Sequence, residues 1–151
     1  MKSLLGAVII SFFATGGQAQ TLFAPDLPLV IQQAADTDLN EFIWKNRPVV
    51  VFADTADDPA FIEQMERLAA GAVELTERDV IVIVDTDPEA RSAIRLQMRP
   101  RGFMLTIVGK DGQVELRKPF PWSVREISRS IDKMPVRQQE IRDRKNVTPT
   151  Q

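Results

Sequence analysis

Three residue types are missing from this chain of 151 residues: it contains no cysteine, no histidine and no tyrosine. Without cysteine, the chain cannot form a disulfide, a thiol nucleophile, a redox pair or a zinc–thiolate site. Without histidine, it lacks the side chain whose ordinary pKa lies nearest neutrality, which excludes histidine-based triads and imidazole metal sites. Thiol redox activity is therefore excluded, and any catalysis must use carboxylate, lysine, serine or threonine side chains.

The rest of the composition is that of an ordinary globular domain. Hydrophobic residues make up 44% of the chain and charged residues 26%, and this length suits one domain around one core. The charge is uneven, because residues 20–90 hold fifteen acidic against four basic side chains, whereas residues 91–151 hold fourteen basic against six acidic. Either the two halves neutralise each other within the fold, or the basic half offers a surface to an anionic partner.

The N-terminus has the pattern of a cleavable secretory signal. Lys2 precedes an apolar stretch over 4–14, and the small residues Gly17 and Ala19 fit a cleavage site directly after Ala19. The stretch is shorter than the ~20 apolar residues that span a bilayer. We therefore predict a signal peptide over 1–19 and a periplasmic or secreted mature chain without a membrane span. Nucleic acid is not an expected partner, because the pI is about 5.2 and no binding motif is recognised.

Apolar runs and helical patterns alternate along the mature chain. Residues 20–35 lead into the domain as irregular chain or an edge strand, and a short helix is predicted after Asp38, with Trp44 extending its buried face. The continuous apolar runs 49–53 and 80–84 predict strands buried on both faces of a sheet. Runs 103–108 and 114–117, joined by a turn at 110–112, predict a β-hairpin. The domain is assigned to 36–142 and a flexible tail to 143–151.

Helix-start signals separate these strands. Asp58 and Asp87 each precede a proline, which is the pattern of an N-cap followed by proline at the first helical position. Ser123 and Glu126 form a capping box before the last predicted helix of the domain. The resulting order predicts an α/β fold with two parallel central strands, a C-terminal β-hairpin and helices on both faces of a mixed sheet.

The segment from Arg101 to Val114 resembles the hairpin region of thioredoxins. In that family a cis-proline stands at the place of Met104, and a Cys-x-x-Cys pair follows the first buried strand, where this chain has Asp54 to Asp57. The resemblance implies a thioredoxin-like fold from which both halves of the redox site are absent. It also adds Arg101 and Met104 to the candidate ligand-binding residues.

Four further segments carry a wider resemblance, which covers roughly Leu39 to Arg142. They are Trp44–Ala53, Glu77–Val80, Lys110–Gly112 with Lys118, and Ile131–Arg137 with Glu140. With these segments the chain resembles the domain of unknown function family 4174, a family of mostly bacterial exported proteins with a relative in animal extracellular proteins that carry sushi repeats. The resemblance implies a thioredoxin-like or peroxiredoxin-like fold and export, and it transfers no catalytic residue.

Acidic loops follow both predicted central strands, where open α/β sheets place ligand sites. One interpretation is a cluster that binds a hard cation or raises the pKa of one carboxyl group to make a general base. The other is that these residues are helix caps that favour the helix dipole. We assign no catalytic residue, no metal and no cofactor. The acidic candidate ligand-binding residues are Asp54, Asp57, Asp58, Asp85 and Asp87.

Basic residues recur at helical spacing in the second half of the chain. Arg125, Arg129 and Lys133 mark the exposed side of the final predicted helix, and arginines at 91, 95, 99 and 101 form another repeat. These are candidate partner surfaces for an envelope or extracellular protein or an anionic polymer. The sequence thus favours an exported, non-enzymatic binding or envelope-associated module. The alternative is a metal-dependent hydrolase that uses the acidic loops.

Overall fold

A computed structural model describes residues 29–147, in which five strands form one mixed sheet. The strands lie in the order β1-β3-β2-β4-β5, with β1 and β2 parallel to β3 and with β4 antiparallel to both β2 and β5. The predicted pair of parallel central strands and the predicted hairpin are therefore confirmed. The strand bounds are Ile31–Gln33, Arg47–Phe52, Val80–Asp85, Met104–Val108 and Val114–Lys118 for β1 to β5.

The central strands form because their side chains are apolar at nearly every position. All residues of β2 and β3 are buried, as expected for strands covered on both faces. The β4–β5 hairpin turns at Gly112, whose φ of 80° suits a residue without a Cβ atom. β1 is an edge strand of three residues beside β3, one of the two conformations predicted for this part of 20–35.

Helices cover both faces of the sheet, as predicted, and two apolar clusters result. α1, α2 and α4 pack on one face, and α3 with two 3-10 turns packs on the other. Side chains of β2 alternate between the clusters, with Val49 and Val51 on the first face and Val50 and Phe52 on the second. The helix bounds are Pro59–Ala70, Ala72–Thr76, Ala93–Met98, Val124–Asp132 and Pro135–Val147 for α1 to α5.

Two predicted helices differ from the observed elements. The helix after Asp38 is only a 3-10 turn over Leu39–Phe42, and Trp44 is 67% exposed, so its assignment to the core is wrong. Trp44 lies in the left-handed region at φ 62° and donates its amide to the Lys110 carbonyl, which turns the chain toward β2. The helix after Asp87 is likewise a 3-10 turn over Pro88–Ala90, and left-handed Arg91 separates it from α3.

The helices predicted from the sequence end with α4, but the chain continues in a further helix, α5. Residues 143–147, assigned above to a flexible tail, continue α5. Side-chain contacts one turn apart support this end, because Gln139 donates to Asp143 and Arg142 donates to Gln139. The predicted signal peptide, residues 20–28 and residues 148–151 lie outside the described residues. Within 29–147, no helix has the length and apolar character needed to cross a membrane.

Candidate functional site

The two acidic loops emerge side by side at one edge of the sheet. Phe52 is paired with Asp85 in the parallel β2–β3 ladder, and the Ala53 amide donates to the Asp85 carbonyl at 2.9 Å. The carboxyl ends of both strands therefore lie at the same edge, as the sequence predicts. We call this the carboxyl edge of the sheet.

Two carboxylates of these loops serve as helix caps. Asp58 accepts a hydrogen bond from the Ala60 amide at 2.8 Å and starts α1. Asp87 accepts from the amides of Glu89 and Ala90 at 3.1 and 3.3 Å and starts the 3-10 turn that follows β3. Both contacts satisfy amide groups that otherwise have no partner at a helix start.

A third carboxylate, Asp85, belongs to an internal ion pair. Its Oδ1 accepts from Arg95 Nε at 3.0 Å and Nη2 at 2.8 Å, and its Oδ2 accepts from the Ser92 hydroxyl at 2.6 Å. Burial raises the pKa of Asp85, but the hydrogen bonds from Arg95 and Ser92 and the Arg95 charge outweigh it and lower the pKa below its ordinary value. Asp85 is 5% exposed, so its carboxylate is committed to the interior of the domain.

Arg95 joins three elements through this contact. Its Nη2 also donates to the Ala53 carbonyl at 2.9 Å, and its guanidinium lies 5.5 Å from the centre of the Phe52 ring. Arg95 is buried, so the predicted basic repeat over 91–101 does not form one exposed surface. The break at left-handed Arg91 and the new helix start at Ser92 separate Arg95 from Arg91, while Arg99 lies one turn further along at the end of α3.

The remaining acidic candidates, Asp54 and Asp57, are exposed and make no side-chain hydrogen bond or ion pair with the described residues. Across residues 29–147, no group of three or more acidic side chains is placed to hold a metal ion. The sheet thus brings the two acidic loops together, but it directs their carboxylates to different contacts.

Arg101 and Met104 lie at the same edge, on the side of β4. Met104 is the first residue of β4, pairs with Phe52 and is half-buried, and no peptide bond within 29–147 is cis. Both residues line a cavity of about 270 Å³ between the loop before β4 and the end of β5. A second cavity of about 560 Å³, with mostly apolar walls, lies between β1 and α1.

The three basic candidates of the final predicted helix lie at spacings of four residues. Arg125 and Arg129 are exposed on α4, and Lys133 is exposed directly after it. The opposite side of α4 packs into the core through Val124, Ile127 and Ile131. Ser123 and Glu126 form the predicted capping box, which fixes the start of this helix. We call Arg125, Arg129 and Lys133 the α4 basic face.

At the opposite edge of the sheet, the structure contains an ion-pair network that the sequence analysis did not identify. Arg47, at the start of β2, is fully buried, donates to Glu140 at 3.0 Å and to the Arg78 carbonyl at 2.9 Å, and lies 4.0 Å from Asp79. Lys110, from the hairpin, bonds both Asp79 and Glu140 at 2.8 Å. The network therefore links β2, the loop before β3, the hairpin and α5.

A second group of charges extends this network along α4 and α5. Arg78 forms a two-pronged contact with Asp132 at 2.8 and 3.0 Å, which raises the pKa of Arg78 and lowers that of Asp132. Arg137 lies 3.4 Å from Asp132 and 3.3 Å from Glu140. Burial raises the pKa of Glu140, but hydrogen bonds from Lys110 and Arg47 and their charges bring it down from 4.5 to about 2. The sequence signal for this network is Arg47, a charged residue at the start of an otherwise apolar strand.

All these network residues belong to the segments that carry the wider resemblance described above. The family described as domain of unknown function DUF4174 matches residues 38–140 of this chain. The chain belongs to this family. In this DUF4174 domain, one network of ion pairs joins α5 to the sheet. Its members are the charged residues at 47, 78, 79, 110, 132, 137 and 140.

Solved structures confirm the thioredoxin-like fold of this DUF4174 domain. Chloroplastic thioredoxin z is 17% identical with a TM-score of 0.53, and the match covers 70% of this chain and 94% of that chain. Desulfothioredoxin from Desulfovibrio vulgaris Hildenborough is 15% identical with a TM-score of 0.52, covering 70% and 97%. The 2-Cys peroxiredoxin of Plasmodium vivax is 14% identical with a TM-score of 0.53, covering 69% and 85%. At these identities the likeness concerns the fold alone.

Proposed function

We propose that this protein is an exported binding module that uses a thioredoxin-like fold without redox chemistry. The observation that carries the proposal is the composition of the carboxyl edge. The loop after β2 carries Asp54 to Asp57, β4 begins at Met104, and the chain contains no cysteine to act as a thiol nucleophile. Exposed basic side chains near this edge and on α4 supply charge for binding in place of covalent chemistry.

Export is the first part of this proposal. It is supported by the sequence of residues 1–19, which combines Lys2, an apolar stretch and small residues before Ala19. We expect the protein to be recovered from the periplasmic or secreted fraction with Gln20 as its first residue. Intact-mass measurement on the fractionated protein tests this, and an unprocessed chain confined to the cytoplasm contradicts it.

Binding through the α4 basic face is the second part. Arg125, Arg129 and Lys133 project from one side of a helix that the capping box and the core fix in place, and none forms an ion pair with the described residues. This arrangement favours an anionic partner at the cell envelope, because unpaired charge attracts and orients a partner of opposite sign.

A charge reversal tests this surface. We expect Arg125→Glu/Arg129→Glu to lose a component that the wild-type protein captures from an envelope extract, and to bind that purified component at least about tenfold more weakly. The matched control is Arg91→Glu/Arg142→Glu, which makes the same change in charge at exposed arginines away from α4. If both double variants retain the same components with the same affinity, the α4 basic face is not a binding surface.

A further inference from the structure

The cavity at the start of β4 is lined by basic and apolar side chains. Four of its lining residues are cationic, namely Arg99, Arg101, Arg117 and Lys118. The other three are Phe103, Met104 and Pro119, and no carboxylate from the described part of the chain lines the cavity. A volume of about 270 Å³ lies just below the ~300 Å³ at which small-molecule sites commonly begin. The cavity therefore has the size for a compact ligand.

The cations around the cavity form no close ion pairs. None of the four forms an ion pair within 4 Å of a carboxylate in residues 29–147. Two are oriented by uncharged groups, because Arg117 donates to the Met98 carbonyl at 3.0 Å and Lys118 lies 4.5 Å from the centre of the Trp122 ring. These contacts fix the positions of two charges without a carboxylate in direct contact, although the Lys118 charge also acts on Glu126 of α4. Cations held in place in this way favour the binding of an anion.

The backbone at Arg99 supplies an independent observation. Arg99 follows α3 in the left-handed region at φ 51° and donates its amide to the Arg95 carbonyl. Glycine is the usual residue at such a helix end, because a Cβ atom is strained there. Arg99 therefore brings its charge to the cavity at a cost in backbone strain, and this combination separates it from Arg91, which has the same strain outside the cavity.

We propose that this cavity binds a phosphomonoester that carries a small apolar group. Guanidinium groups match the oxygens of a phosphate in pairs, and a phosphomonoester has close to two negative charges at neutral pH. Phe103, Met104 and Pro119 then cover the apolar group. The inference deepens the binding role proposed above by naming a ligand class, and it is independent of the α4 basic face.

Calorimetry with phenyl phosphate, inorganic phosphate and benzoate tests this proposal on the purified protein. We expect phenyl phosphate to bind more tightly than inorganic phosphate, which lacks the apolar group, and than benzoate, which has a single negative charge. Arg99→Gly should weaken phenyl phosphate binding about tenfold or more, because a charge-assisted hydrogen bond is lost. Arg91→Gly is the matched control, since Arg91 is also an exposed arginine in the left-handed region, at φ 47°, but lies outside the cavity.

The outcomes separate this proposal from its alternatives. The proposal is overturned if the protein binds neither phenyl phosphate nor vesicles that contain phosphatidate. It is also overturned if Arg91→Gly and Arg99→Gly weaken phenyl phosphate binding equally, or if the protein binds benzoate more tightly than phenyl phosphate. Binding of the protein to vesicles that contain phosphatidate, but not to pure phosphatidylcholine vesicles, supports the proposal if Arg99→Gly abolishes this difference between the vesicles. The phosphomonoester is then the headgroup of a lipid. If the protein still captures an envelope component through Arg125 and Arg129 but binds no phosphate compound, only the proposal for this cavity is wrong. The proposed binding function is then unaffected.

Discussion

Replacing Asp85 with asparagine is expected to lower the free energy of unfolding by about 3–5 kcal/mol, because a buried charge then loses its partner. Arg95 remains charged and largely excluded from water, and the carboxylate that accepts from its Nη2 and Nε at 2.8 and 3.0 Å becomes a neutral amide. The two residues also join the ends of β2 and β3 to α3, so the loss reaches three elements. Urea unfolding at neutral pH measures the change.

Asp87→Asn is the matched control for this prediction. Asp87 lies two residues further along the same loop, is exposed and caps a 3-10 turn, and asparagine caps helices about as well as aspartate. We expect its free energy of unfolding to stay within about 0.5 kcal/mol of the wild-type value. A second test is Asp85→Asn/Arg95→Met, which should recover part of the loss because no unpaired charge remains. Equal costs for Asp85→Asn and Asp87→Asn would show that the buried ion pair contributes no stability.

The two edges of the sheet differ in how their charges are balanced. At the edge where β2 begins, Arg47 and Lys110 share Asp79 and Glu140, so positive and negative groups meet at short distances. At the carboxyl edge, none of the four cations that line the cavity lies within 4 Å of a carboxylate of residues 29–147. The charges of the first edge stabilise the fold, whereas the carboxyl edge combines the stabilising Asp85–Arg95 pair with the cations for which we propose a ligand. Seven charged residues within the part of the chain that matches DUF4174 thus form the contacts of the first edge.

Local signals predicted the secondary structure where the relevant residues are close in sequence. The apolar runs over 49–53 and 80–84 become β2 and β3, since central strands covered on both faces bury the side chains at every position. Asp58 with Pro59 and Ser123 with Glu126 start α1 and α4, since each cap contacts amides only two or three residues away. Short-range chemistry of this kind does not depend on the rest of the fold.

Contacts between residues that are far apart in the sequence cannot be predicted from such local patterns. Arg47 and Glu140 are 93 positions apart, and nothing in the local pattern of either residue identifies the other as its partner. Arg95 has the spacing of an exposed repeat, but a left-handed residue at Arg91 changes the direction of the chain and brings Arg95 to Asp85. The sequence therefore predicted the position of the carboxyl edge, while the partner of each charge on it follows from tertiary packing.

Replacing Glu140 with glutamine is expected to lower the free energy of unfolding by about 3 kcal/mol near neutral pH and to change its dependence on pH. The pKa of Glu140 is lowered from 4.5 to about 2, and this difference corresponds to about 3 kcal/mol of stabilisation by the charged form. Because the pKa in the folded protein is the lower one, the contribution is complete above about pH 4.5 and is lost as the pH falls toward 2.

Urea unfolding of the wild-type protein and of Glu140→Gln across this pH range measures the effect. Asp85 and Asp132 also have lowered pKa values and destabilise both proteins in acid, so the difference between the two curves isolates Glu140. The difference should be constant above pH 5 and shrink as the pH falls from 4.5 toward 2. Asp143→Asn, an exposed change one turn further along α5, should leave the curve nearly unchanged. A difference that does not vary with pH would mean that Glu140 acts through packing, since only its charge is sensitive to protonation in this range.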